Sequence, residues 1–228
     1  GPMDIAIVEA IAVTEEGHLI LSCGIGNAPM FVKQARSVIV EINTAQPREL
    51  EGMHDIYMQG KPPHRTAIPI FSPGDRIGKP YVECGLDKIM FIVESDVPDH
   101  VRDLALPNET SGRIAEHLIG FLEDEIKAER LPQQLLPFQS GVGTIANAVF
   151  HGLGNSRFKQ LTMYSEILQD AVFDLIDWGK IDVASGCAFT PSPNVMNRFR
   201  NDPDKYRQRI ILRPLDIANN PEIVRRLG

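Results

Sequence analysis

The sequence has no cysteine pair, no basic excess and no long apolar run, and each absence removes a class of protein. Its three cysteines, Cys23, Cys84 and Cys187, are odd in number and far apart, with no C-x-x-C among them. That argues against a disulfide framework and against a zinc site, and it reads them as small buried residues of a reducing compartment. Lys and Arg number 23 against 30 Asp and Glu, a formal net charge of -7. The summed field therefore repels phosphate backbones and acidic membrane surfaces, which argues against a nucleic-acid or membrane partner. An anionic small molecule stays open, because a glycine turn at a helix N-terminus binds phosphate locally. No apolar run approaches the roughly 18 to 20 residues of a membrane helix, and no signal-type segment opens the chain. The six histidines, His18, His54, His64, His100, His117 and His151, lack any H-E-x-x-H spacing, so no metal is expected.

What remains is an ordinary globular composition: 228 residues, 43% hydrophobic, 23% charged, with 18 glycines and 17 prolines. The length accommodates one large domain or parts of two. Gly1-Pro2-Met3 reads as a tag remnant and is set aside. Residues 4–13 and 18–23 are strand-like around a turn at Glu15-Glu16-Gly17. A glycine turn at 24–27 then leads to a short helix over 29–35 and a strand over 37–42. Residues 46–79 read as a long excursion with one strand near Ile68 to Phe71, and 88–93 as a buried strand. The charged, proline-bearing stretch 96–108 marks a boundary, which gives a first unit at 4–98 and a second at 108–228.

The second unit opens with an amphipathic helix over 112–130, capped by Thr110 or Ser111. Its apolar face carries Ile114, Leu118, Ile119, Leu122 and Ile126. A strand over 135–139, a tight turn at Gly141-Val142-Gly143, a helix from Thr144, a strand over 160–165 and a helix over 168–178 follow. Beyond them come a strand near Ala184, a mixed polar stretch over 191–209, a strand over 209–212 and a final helix to Leu227. Strand and helix in alternation imply an α/β fold with mainly parallel sheets. Residues 22–28 and 140–148 both place G-x-G at a strand-to-helix turn, which two related α/β halves would explain.

In parallel α/β sheets ligands bind at the carboxyl ends of strands, and two successive strand ends here present Gly141 to Gly143 and Glu166. Bare amides at a helix N-terminus stabilise an anion or a developing oxyanion. A carboxylate beside them is the equipment for a covalent acyl-enzyme route. The same residues also fit a dinucleotide site, since residues 141–146 match G-x-G-x-x-A and Glu166 lies 25 residues beyond Gly141. A third reading makes the glycines turn formers and Glu166 a solvated strand end. Spacing alone leaves the three open.

The stretch from Leu136 through Gln139-Ser140-Gly141-Val142-Gly143 to Val149, followed by residues 163–170 around Glu166, resembles the acetyl-CoA hydrolase/transferase family. It is most similar to the succinyl-CoA:acetate branch of these class I CoA-transferases, and residues 4–43, 174–180 and 212–222 also look like family segments. The resemblance implies parts of two related α/β domains, with Glu166 as the catalytic glutamate. That residue would form an acyl-glutamyl anhydride and then a glutamyl-CoA thioester. It implies that Gln139, Ser140, Gly141, Val142 and Gly143 contact CoA and help to form an oxyanion hole. Asn219 matches an asparagine near the thioester, although Asn220 beside it leaves the register open. It further implies no tightly bound cofactor, coenzyme A thioesters and small carboxylates as substrates, and a homodimer in bacterial cytoplasm or mitochondrial matrix. Family members are about twice this length and carry a later glycine-rich CoA segment, so the chain is expected to be part of a longer protein.

Three further residues are read structurally. Arg102 is a surface residue that could otherwise meet a substrate carboxylate, Cys187 is packing rather than nucleophile, and Asp170 favours a helix N-terminus.

Overall fold

Residues 3–13 alternate covered and outward side chains and form β1 (Met3–Val13) of the computed structural model, which describes residues 3–100 and 107–228. Ala6, Val8 and Ala10 are buried while Ile5 and Ile7 face outward, as in a strand with one covered face. Gly17, at φ 78°, turns the chain into β2 (Leu19–Leu21), antiparallel to β1. α1 (Ala28–Gln34) begins with a proline in its first turn, and β3 (Ala35–Asn43) runs parallel to β1. Met3, read from sequence as tag remnant, pairs with Ala35 and so belongs to this sheet, whereas Gly1 and Pro2 lie outside the described residues. β4 (Ile89–Ser95) completes the order β2-β1-β3-β4.

Two expectations for this half are corrected. β4 is not a buried strand. It is the edge of its sheet, and Met90, Phe91, Ile92 and Val93 are all exposed. Residues 68–71 are not a strand either. Ile68 and Ile70 are fully buried with Ile217 and Ile223, and the Arg226 guanidinium donates to both of their carbonyls, which removes acceptors a ladder would use.

The second half begins with α2 (Glu109–Lys127), capped by Asn108 rather than by Thr110 or Ser111. The Asn108 side chain accepts the Ser111 N–H at 2.9 Å, and the Ser111 hydroxyl accepts the Asn108 N–H at 2.9 Å. Of the expected apolar face Ile126 is buried and Ile119 and Leu122 are partly covered, but Ile114 and Leu118 remain exposed. Ahead of α3 (Thr144–Asn155), the strand expected over 135–139 shrinks to a bridge between Phe138 and Met163. Pro137 has no N–H to give and Leu135 takes a positive φ of 60°, so the ladder runs no further.

β5 (Leu161–Tyr164) leads to β6 (Ile167–Leu168) and α4 (Asp170–Asp177). The helix starts two residues later than expected because Ile167 and Leu168 pair with another strand. Val172, Phe173, Leu175 and Ile176 of α4 point inward as their spacing predicts. Each such burial contributes about 1.5–3 kcal/mol. β7 (Ile181–Gly186) and β8 (Ala188–Phe189) follow. The polar stretch 191–209 holds two helices, α5 (Pro193–Asn201) and α6 (Pro203–Arg207), each opened by a proline. β9 (Ile210–Leu212), α7 (Leu215–Ala218) and α8 (Pro221–Leu227) end the chain.

β5, β7 and β9 form a parallel sheet in the order β5-β7-β9, and β6 pairs in parallel with β8. Gly24 bridges Ala188 and His54 bridges Leu212, so segments of the first half extend the sheets of the second. One hydrophobic core runs from Ala6 through Leu212 across all three sheets. No helix among the described residues is long and apolar enough to cross a membrane.

Candidate active site around Glu166

The parallel sheet delivers two loops to one end. Phe138 donates to Thr162 O at 3.1 Å and accepts from Tyr164 N at 3.1 Å, so residues 139–143 leave beside the carboxyl end of β5. Glu166 leaves the same end two residues after Tyr164. Its backbone carbonyl accepts the Cys187 N–H at 2.7 Å, and a Cβ on Gly186 would lie 2.9 Å from that carbonyl. Glycine at 186 thus lets β7 come close enough to fix the strand end that carries the carboxylate.

The glycine loop is tied down by residues flanking Glu166. Ser165 Oγ accepts the Ser140 N–H at 3.4 Å and donates to the Ser140 carbonyl at 3.3 Å. Gln169 Nε2 donates to the Gly141 carbonyl at 3.1 Å. Gly143, at φ 151°, holds a backbone conformation that L side chains rarely adopt, and it caps α3 without a side chain. Among the described residues no acceptor receives the amides of Gly141, Val142 or Gly143. Gln139 is exposed at the loop's entrance.

Asn219 Nδ2 donates to Glu166 Oε2 at 2.9 Å. α7 carries Asn219 to that position, and α7 is itself held by two bonds. The Tyr164 hydroxyl donates to Ile217 O at 2.7 Å, and Leu215 N donates to Gly26 O at 2.9 Å. Burial pushes the Tyr164 phenol up to about 12, so it stays a donor. The neighbouring Asn220 is otherwise engaged, its side chain capping α8 by accepting the Glu222 N–H at 3.0 Å. The two asparagines therefore part company, one toward the glutamate and one toward a helix end. Gly26 belongs to the first glycine turn, which leans on this site through Ile25 N to Cys187 O at 2.8 Å.

Cys187 is buried. Desolvation, with a smaller contribution from the Glu166 charge, pushes its thiol up to about 11. Asp170 opens α4 and accepts the Ser192 N–H at 2.8 Å. Arg102 lies outside the described residues. A cavity of about 660 Å³ opens beside the loop, lined by Val142, Asn147, Gln169 and Asp170 among others, but not by Glu166. No cluster of His, Cys, Asp and Glu among the described residues is suited to a metal ion.

Sequence reasoning missed Ser165, Gln169 and Tyr164, all within the quoted stretch around Glu166, because their roles depend on partners up to 53 residues away. Chemically, the arrangement is a partly exposed carboxylate with one oxygen held by an amide, next to a loop of unpaired backbone donors.

Residues 1–99 match the model of the acetyl-CoA hydrolase/transferase N-terminal domain. The chain is 52% identical to a succinyl-CoA:acetate CoA-transferase of Clostridium kluyveri, over 99% of the chain and 42% of that protein. It is 43% identical to an acetyl-CoA hydrolase of Schizosaccharomyces pombe, over 99% of the chain and 43% of the relative. It is 40% identical to a propanoyl-CoA:succinate CoA transferase of Escherichia coli, over 100% and 46%. A crystal structure of 4-hydroxybutyrate CoA-transferase from Porphyromonas gingivalis shares the fold, with a TM-score of 0.63 at 20% identity over 98% of this chain and 48% of that one. The chain spans less than half the length of these curated relatives. Residues 1–99 thus match the N-terminal domain of the acetyl-CoA hydrolase/transferase family, and the chain as a whole is similar to a part of CoA-transferases and acetyl-CoA hydrolases.

Proposed function

We propose that this chain carries the glutamate and the glycine loop of a CoA-transferase active site. Parts of two α/β domains, 4–98 and 108–228, would supply it, within a homodimer that acts on an acyl-CoA and a small carboxylate. The observation that carries the reading is the Asn219 to Glu166 hydrogen bond at 2.9 Å, made while the loop of unpaired amides is tied to Ser165 and Gln169 on either side of that glutamate. Asn219 holds Oε2, and Oε1 has no hydrogen-bond partner among the described residues, which leaves it free to attack.

In this reading Glu166 adds to the thioester carbonyl, and the negative oxygen of the tetrahedral intermediate is met by the unpaired backbone amides of residues 141–143. The C–S bond breaks, CoA leaves as thiolate and an acyl-glutamyl anhydride remains. The thiolate then attacks the glutamyl carbonyl and the anhydride C–O bond breaks. The first carboxylate is released and CoA stays on Glu166 as a thioester. A second carboxylate reverses the two steps. A carboxylate is a weak nucleophile, so binding energy from the remote CoA body must assist it, and in this reading Gln139 and Ser140 at the loop's entrance contact that body. Water in place of the second carboxylate would give acyl-CoA hydrolysis.

The test is the intact mass of the chain after incubation with acetyl-CoA or succinyl-CoA. A CoA-sized adduct is expected that borohydride removes and that Glu166→Ala lacks. Absence of the adduct, or tight binding of a nicotinamide dinucleotide instead, would overturn the reading.

A further inference from the structure

Gln169 makes an odd set of contacts for a buried residue. It is 2% exposed, its Nε2 donates to the Gly141 carbonyl at 3.1 Å, and its Oε1 is buried with no partner. The amide is not free to turn over, because that would set Oε1 against the Gly141 oxygen, acceptor against acceptor. A buried acceptor without a partner costs about 1–3 kcal/mol. Stability alone is poorly served by a glutamine here.

The Gly141 carbonyl shares a peptide unit with the Val142 amide. That unit is planar and trans, so carbonyl and N–H point in opposite directions. Gln169 and the Ser140 hydroxyl, which donates at 2.9 Å, hold the oxygen on one side. The Val142 N–H is thereby turned to the other side, on a residue that is 61% exposed, and it meets no acceptor among the described residues. Gly141 at one end of the unit, with Gly143 next along, offers little resistance to a flip of this peptide. The side-chain bonds therefore choose its orientation.

We propose that Gln169 is a positioning residue that fixes the Gly141–Val142 peptide so that the Val142 N–H faces the oxyanion formed at Glu166. The inference rests on the acyl-transfer reading of Glu166. It separates chemistry from binding and from folding, because Gln169 acts on one peptide plane and not on the CoA body.

The experiment compares the native chain with Gln169→Met and Gln169→Glu, reading the rate of CoA adduct formation at Glu166, the dissociation constant for CoA and the unfolding temperature. Gln169→Met removes both the donor and the unpaired acceptor, and Gln169→Glu sets a carboxylate against the Gly141 oxygen. Both variants are expected to form adduct about 100-fold more slowly, the scale of losing one oxyanion donor, while binding CoA within about threefold of the native chain. Gln169→Met is expected to unfold at or above the native temperature. An adduct rate in Gln169→Met within about threefold of native, below the effect of any one oxyanion donor, would overturn the inference and leave the acyl-transfer reading standing. A parallel loss of rate and fold in both variants would assign Gln169 a purely structural role. No adduct on the native chain would remove the acyl-transfer reading itself, and this inference with it.

Discussion

At the scale of single residues the most constrained side chain lies beneath the site. Arg213 has no exposed surface and is paired with Asp55, which is 1% exposed. Its Nε donates to Ser185 Oγ at 2.7 Å, and Nη2 reaches the carbonyls of both Pro73 and Asp75. Asp55 in turn accepts the N–H groups of Ile77 at 2.9 Å and Gly78 at 2.6 Å. Burial holds the guanidinium below its usual range, and Asp55 opposes that shift. Removing one member of such a pair strands the other charge in a dry interior. Arg213→Met is therefore expected to lower the unfolding free energy by about 3–5 kcal/mol, and Arg213→Met with Asp55→Asn by clearly less. Urea titration of the three chains measures this. Nothing in the sequence announced the pair, because its members are 158 positions apart and meet only once the excursion folds back on β9. Glu166 stood out as a candidate because a glycine turn and an acid at successive strand ends form a local pattern, but that pattern left three readings open and only the family resemblance chose among them.

At the scale of elements, legibility followed the strength of the covered face. α4 was readable to within two residues because Val172, Phe173, Leu175 and Ile176 all point inward and leave one unbroken apolar stripe. β4 was misread for the same physical reason in reverse: a run of apolar residues looks buried whether or not a neighbour exists to bury it. In the fold, Phe91 sits opposite Ile39 and Ile39 opposite Ile7, so one row across the outer face of three strands is apolar. Ile7 and Phe91 on that face are exposed. Unblunted edges of this kind template further pairing. The isolated chain is expected to associate as its concentration rises, and Ile92→Lys should suppress this. Light scattering over a concentration series checks it. A scattering curve identical for the two chains would mean that β4 is not the sticky edge.

At the scale of the whole molecule, the halves are joined at a seam that a histidine monitors. His54 pairs with Leu212 of β9 through its backbone and lies 3.1 Å from the Ser22 carbonyl through Nε2, so it links β9 to the residue that follows β2. Burial pushes its imidazole from the ordinary 6.5 down to about 4, and the nearby Arg76 charge adds to this. Between those values the unfolded chain binds a proton that the folded chain does not. Stability from this group is complete above pH 6.5 and falls as the pH drops toward 4, by about 1.4 kcal/mol per pH unit. Urea midpoints measured across that window should show the slope, and His54→Asn should flatten it. Because one core spans all three sheets, the loss is expected as a single transition. Sequence placed the boundary near 96–108 from composition, but it had no means of finding the bridges Gly24 to Ala188 and His54 to Leu212 that stitch across it.

The raised thiol of Cys187 has a meaning that belongs to sulfur exchange. Its backbone is bonded to Glu166, and with its titration pushed up to about 11 it keeps its proton at neutral pH. An ionised sulfur in that place would compete for any acyl or CoA group carried on the glutamate, since thiolates exchange with thioesters and thiols do so far more slowly. In the acyl-transfer reading, burial lowers an already small thiolate fraction further, and a group carried on Glu166 would be spared exchange with the neighbouring sulfur.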